Sequence, residues 1–110
     1  MFGTSGIRGR VGETVTAATA LDVGRAVGTE ASRVVVGRDA RTTGETLRDA
    51  LIAGLRETGA DVIDVGRAAT PTVARAIAAR SADAGVVVTA SHNPAPDNGF
   101  KLWTPSGQAY

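Results

Sequence analysis

Three short apolar runs, Val34-Val35-Val36, Val62-Ile63 with Val65, and Val86-Val87-Val88, recur along the chain with helix-patterned sequence between them. Their spacing is close to the ~30 residues of a βαβ unit. Runs this short, rich in branched side chains and bounded by turn formers, read as buried strands. A uniformly apolar strand needs cover on both faces, which a parallel sheet clothed by helices provides. The expectation is therefore an α/β fold. It would be a three-layer α/β/α arrangement, with a mainly parallel mixed sheet, right-handed βαβ crossovers and a C-terminal hairpin.

The intervening segments support this. Residues 16–29 read as a first helix, capped by Thr16, with Ala17, Ala20, Leu21, Gly24, Val27 and Gly28 on one face. Gly24 and Gly28 weaken helix propensity, which points to close packing. Residues 43–58 read as a second helix with Leu47, Ala50, Leu51, Gly54 and Leu55 as its stripe, and Gly59 stands where a terminating glycine belongs. Thr70-Pro71 opens a third helix, with Val73, Ala74, Ile77 and Ala78 on its buried face. Strands are expected at 33–37, 61–65 and 85–89. In Gly99-Phe100-Lys101-Leu102-Trp103, alternation puts Phe100 and Leu102 on one side and Lys101 and Trp103 on the other. Thr104-Pro105-Ser106-Gly107 reads as a turn before a return strand at 108–110. The chain stops there without a closing element, as a piece of something longer would.

Composition removes several functional classes. The net charge of +1, from dispersed arginines, makes no electrostatic case for nucleic acid or an anionic membrane. The absence of Cys excludes disulfides, thiolate chemistry and Cys-based zinc sites, and one His excludes a His-rich metal site built from this chain alone. No window approaches ~18 unbroken apolar residues. The first residues lack the layout of a signal peptide, so a cytoplasmic protein is expected. A chain of 110 residues makes one small domain, too small for a large enclosed site.

Chemistry concentrates in Thr89-Ala90-Ser91-His92-Asn93-Pro94 and its continuation Ala95-Pro96-Asp97-Asn98-Gly99-Phe100-Lys101. In open α/β sheets ligands bind just past the carboxyl ends of the strands, and this stretch delivers a hydroxyl, an imidazole, a carboxamide and an amine there. His92 is the only histidine and Lys101 the only lysine, the other bases being arginines. A Lys can release and recapture a proton once its pKa is lowered, and an Arg cannot. Against this, a Ser after a strand is usually a turn former, and a single Lys usually lies in solvent.

Two further stretches attract attention. Gly3-Thr4-Ser5-Gly6-Ile7-Arg8-Gly9 is neither a dinucleotide fingerprint nor a Walker A loop. Its glycines would let backbone N–H groups approach an anion, with Arg8 adding a bidentate charge, or else it is a flexible terminus. Arg38-Asp39-Ala40-Arg41 at a strand end reads as a surface ion-pair cluster, ahead of a ligand-facing group.

Taken together, Thr89 to Pro94 with Asp97 to Lys101 resembles the phosphoserine loop of the α-D-phosphohexomutases. Gly3 to Gly9 resembles that family's N-terminal motif, and Gly37-Arg38-Asp39-Ala40-Arg41 and Thr70-Pro71-Thr72 fit its pattern. The resemblance covers essentially all of 1–110 but only the first of the family's four domains, so the chain is expected to be domain I of a longer multidomain enzyme. It implies a phosphosugar mutase domain that interconverts hexose 1-phosphate and hexose 6-phosphate through a phosphoserine and a bisphosphate intermediate. Ser91 would carry the phosphoryl group. Lys101 would transfer protons, Arg8 would assist at the same centre and His92 would support the loop. Thr4, Ser5 and Asn93 would help hold the substrate. Mg²⁺ would be bound by the phosphate on Ser91 and by aspartates outside this chain. Partners would be the sugar phosphates and the remaining domains, with no nucleic acid and no membrane, and the fragment alone would not be efficiently active.

Phosphoglucosamine mutases often have Asp where this chain has Ser5, which favours mannose or glucose phosphates and leaves phosphoglucosamine mutase as the alternative. A non-catalytic anion-binding or interaction module is the competing reading of another class. A nucleotide-binding domain ranks lower, because both glycine fingerprints are absent.

Overall fold

The computed structural model describes residues 7–10, 15–39, 44–68, 70–89 and 97–103. In chain order the elements are β1 (Ile7–Arg10), α1 (Ala17–Glu30), β2 (Arg33–Arg38), α2 (Gly44–Glu57), β3 (Asp61–Arg67), α3 (Thr70–Ala79), β4 (Ala84–Val88) and β5 (Asp97–Trp103). The strands form one mixed sheet in the order β1-β5-β4-β2-β3. Strands β4, β2 and β3 are parallel neighbours, and β5 runs antiparallel to both β4 and β1.

The valine runs explain this order. Strands β2 and β4 lie inside the sheet, and Val34, Val35, Val36, Val86, Val87 and Val88 are all at most 2% exposed. Side chains alternate between two cores. On one face Val34, Val36, Val86, Val88, Phe100 and Leu102 pack against Val23 and Val27 of α1 and Leu47, Leu51 and Leu55 of α2. On the other, Val35 and Val87 pack against Val73 and Ile77 of α3, with Trp103 alongside. The expected three-layer α/β/α architecture is therefore present, including the division of Phe100 and Leu102 from Trp103. The chain steps from β2 to β3 by way of α2 and returns to β4 by way of α3. Reversing direction and face together keeps both crossovers the same hand.

Local signals act where the sequence puts them. Thr16 has extended backbone and its hydroxyl accepts the Thr19 N–H at 3.1 Å, capping α1. Helix α2 ends at Gly59, φ +89°, where Gly59 N–H donates to Arg56 O and Ala60 N–H to Leu55 O. Strand β3 carries a bulge: the register shifts between Val36 and Gly37, and Asp64 accepts the Gly66 N–H at 2.8 Å across it.

Some side-chain expectations need correction. Ala17 and Ala78 are exposed, and Val23 fills the core instead. On α2 the expected stripe is the buried one, with Leu47, Leu51, Gly54 and Leu55 in the core and Ala50 packed against it, and on α3 Val73 and Ile77 are buried as expected. The end of the N-terminal glycine stretch is also a strand, β1, with Ile7 paired to Phe100 and Arg10 to Asp97. The return strand expected at 108–110 lies outside the described residues. The partners of β5 are β4 and β1.

Candidate functional site

Because β2, β3 and β4 are parallel, their carboxyl ends share one edge of the sheet, at Arg38-Asp39, Arg67-Ala68 and Val88-Thr89. Strand β5 begins at the same edge and β1 ends there, since Arg10 pairs with Asp97. Thr89, after β4, and Asp97, at the start of β5, therefore both lie at this edge.

Direct bonds tie the strand ends together. Asp39 N–H donates to Val88 O at 3.2 Å and Ala68 N–H to Arg38 O at 3.0 Å. The Thr89 hydroxyl donates to Asp39 Oδ2 at 2.6 Å, a short bond between a part-buried hydroxyl and a carboxylate. Arg38 turns to the α2 side of the sheet, its side chain 12% exposed, with Nη2 3.5 Å from Glu45 Oε1. Its Nε is buried without a hydrogen-bond partner. Of the expected surface ion-pair cluster, Ala40 and Arg41 lie outside the described residues. Asp39 instead crosses to β4, a pairing invisible in sequence because the two residues are fifty positions apart. The one available signal was a Thr and an Asp each just past a buried strand.

Lys101 is half-buried on β5, opposite Val87 of β4. Its ammonium lies 5.2 Å from the centre of the Trp103 ring, which is an attractive cation–π distance. Trp103 is two residues farther along β5 from the carboxyl edge. Arg8 pairs across from Gly99, diagonal to Lys101 on the neighbouring strand. The structure thus brings the backbone positions of Arg8 and Lys101 together. Ser91, His92, Asn93, Thr4 and Ser5 lie outside the described residues.

Among the described residues no group of three or more His, Cys, Asp or Glu is placed to hold a metal ion. Ser91, whose phosphate is expected to hold Mg²⁺, lies outside the described residues. No helix of the described residues is long and apolar enough to cross a membrane.

The family model for phosphoglucomutase/phosphomannomutase, alpha/beta/alpha domain I, matches residues 1–110. The chain belongs to this family. Over 111 residues it is 58% identical to a protein of Thermococcus gammatolerans named "Probable phosphoglucosamine mutase", covering 99% of this chain and 25% of that protein. A protein of the same name from Methanothermobacter thermautotrophicus is 51% identical over 113 residues, covering 100% of this chain and 25% of the relative. A solved phosphoglucomutase/phosphomannomutase family protein from Burkholderia thailandensis superimposes with a TM-score of 0.83 at 40% identity, over 97% of this chain and 27% of that one. The chain thus spans about a quarter of the length of the curated relatives it matches.

Proposed function

We propose that this chain is the phosphoryl-carrying domain of a phosphosugar mutase, and that the sugar is glucosamine phosphate. The observation that carries the reading is the match to domain I over 1–110, together with Thr89 and the start of β5 at the carboxyl edge of the sheet. The choice of sugar follows the names of the relatives at 58% and 51% identity. They outweigh the preference for mannose or glucose drawn from Ser5, a single position.

In this reading the Oγ–P bond of phosphorylated Ser91 breaks as a P–O bond forms to the free hydroxyl of a hexosamine phosphate. The proton of that hydroxyl ends on Ser91 Oγ. The bisphosphate then returns its other phosphate to Ser91 by the reverse step, so the net change is an isomerisation. A serine hydroxyl is a weak nucleophile until a base takes its proton, and Lys101 is assigned that transfer. Phosphoryl transfer depends mainly on positioning and charge stabilisation. A phosphoserine carries about −1.5 to −2 charges, and Arg8 would offset part of this. His92 would support the loop, with Thr4, Ser5 and Asn93 on the substrate. A Mg²⁺ ion held by the Ser91 phosphate and by ligands outside this chain belongs to the same proposal, as do the further domains that would complete the cleft.

The test incubates the chain with a hexose 1,6-bisphosphate and follows intact mass. A single phosphate on the parent and none on Ser91→Ala supports the reading, and equal labelling of both ends it. Rates of the full-length protein on glucosamine, mannose and glucose phosphates decide the sugar.

A further inference from the structure

The 2.6 Å bond from Thr89 to Asp39 lies one residue beyond the last β2–β4 register pair, Arg38 with Val88. The ladder from Val34–Ala84 to Arg38–Val88 already holds the two strands together. Asp39 adds a two-point grip past its end, with its backbone N–H on Val88 O and its carboxylate on the Thr89 hydroxyl. Ser91 is two residues on, separated from the clamped Thr89 only by Ala90.

We propose that Asp39 is a positioning residue for phosphoryl transfer, fixing through Thr89 the start of the segment that carries Ser91. This rests on Ser91 being the phosphoryl carrier. The reacting oxygen, the phosphorus and the sugar hydroxyl must align, and an error of about 1 Å in such an alignment can cost on the order of 100-fold in rate. A charge-assisted bond to a hydroxyl on a stiff β-branched residue suits that task. Neither residue is assigned to the sugar, so the effect falls on turnover and not on substrate affinity.

The experiment uses the full-length protein with glucosamine 6-phosphate and a hexose 1,6-bisphosphate, measuring kcat, KM and Ser91 phosphate by intact mass. Thr89→Val keeps the shape and removes the hydroxyl. It is expected to lower kcat by roughly 10- to 100-fold while KM stays within about twofold. Thr89→Ser restores most of the rate lost in Thr89→Val. Asp39→Ala combined with Thr89→Val is slower than the worse single variant by less than the product of the two losses, because both remove the bond the two residues share. Parental turnover in Thr89→Val, a KM rise that accounts for the loss, or independent losses in the double variant would each overturn the proposal. Should Asp39→Ala not fold, Asp39→Asn takes its place in the cycle. If Ser91→Ala turns over normally, the phosphoserine reading fails and this proposal with it. If Ser91 takes phosphate normally and Thr89→Val is not slowed, only the positioning role fails.

Discussion

Gly24 and Gly54 meet backbone to backbone where α1 crosses α2. A β-carbon on Gly24 would fall 3.0 Å from Gly54 Cα, and one on Gly54 would fall 3.1 Å from Gly24 Cα. Each would also strike a carbonyl oxygen of the facing helix, Leu51 O and Leu21 O respectively. Alanine at either position gains about 1 kcal/mol of helix propensity. Overpacking against backbone, which cannot rotate aside, costs typically ~1–3 kcal/mol. The collision wins, so Gly24→Ala and Gly54→Ala each lower the melting temperature in calorimetry. Gly28→Ala meets mainly the Thr58 side chain and costs less.

The ends of α2 and α3 form a matched pair. Gly59 ends α2 at φ +89°, and Ser81 ends α3 at φ 52° with the same two backbone bonds, Ser81 N–H to Ala78 O and Ala82 N–H to Ile77 O. A side chain in the left-handed region costs roughly 1–2 kcal/mol, and glycine's larger unfolded-state entropy returns about 0.4–1. Ser81→Gly is therefore expected to stabilise by about 0.5–1 kcal/mol and Gly59→Ser to destabilise by a similar amount. Urea midpoints at unchanged slope check both. No atom lies within 4 Å of a β-carbon built on Gly59, so packing does not confuse the comparison there.

Arg25 of α1 grips Glu57 of α2 with two bonds, Nε to Oε2 at 2.6 Å and Nη2 to Oε1 at 3.2 Å. The hydrogen bond from Arg25 holds the Glu57 carboxyl below its ordinary value of 4.5, outweighing an opposing desolvation, with the Arg25 charge adding a lesser pull in the same direction. A lowered carboxylate pKa contributes stability above the unfolded value and loses it as pH falls through the folded one. The melting-temperature gap between the parent and Glu57→Gln should be steady at neutral pH and close as pH drops below 4.5. It should also be small and shrink in high salt, because both side chains are about half exposed. A gap that widens in acid would contradict the assignment.

Trp103 is the single tryptophan, so its fluorescence reports on the Lys101 ammonium 5.2 Å from its ring. Lys101→Met should shift the emission and cost about 0.5–1 kcal/mol of stability. If phosphate on Ser91 draws the ammonium toward the carboxyl edge, incubation with a hexose bisphosphate changes the emission of the parent and leaves that of Lys101→Met unchanged. Equal responses in the two proteins would show that Lys101 does not move to the phosphate.

Much of the fold was legible because it rests on local chemistry. The valine runs marked β2 and β4, Thr16 and Gly59 marked helix ends, and alternation sorted Phe100 and Leu102 from Trp103. These signals act within a few residues, over which backbone preference and the pattern of burial agree. Strand β1 was not legible, because a four-residue strand with a glycine in it carries little preference of its own and is defined by its pairing with β5.

At the candidate site the sequence alone supplied the residue types and their order: the hydroxyl of Ser91, the amine of Lys101 and the guanidinium of Arg8. Only tertiary structure decided that Asp39 reaches Thr89, that Arg8 lies diagonal to Lys101, and that the ammonium rests on Trp103. Those relationships depend on sheet register between segments far apart in the chain, and register is set by the packing of whole faces against α1, α2 and α3.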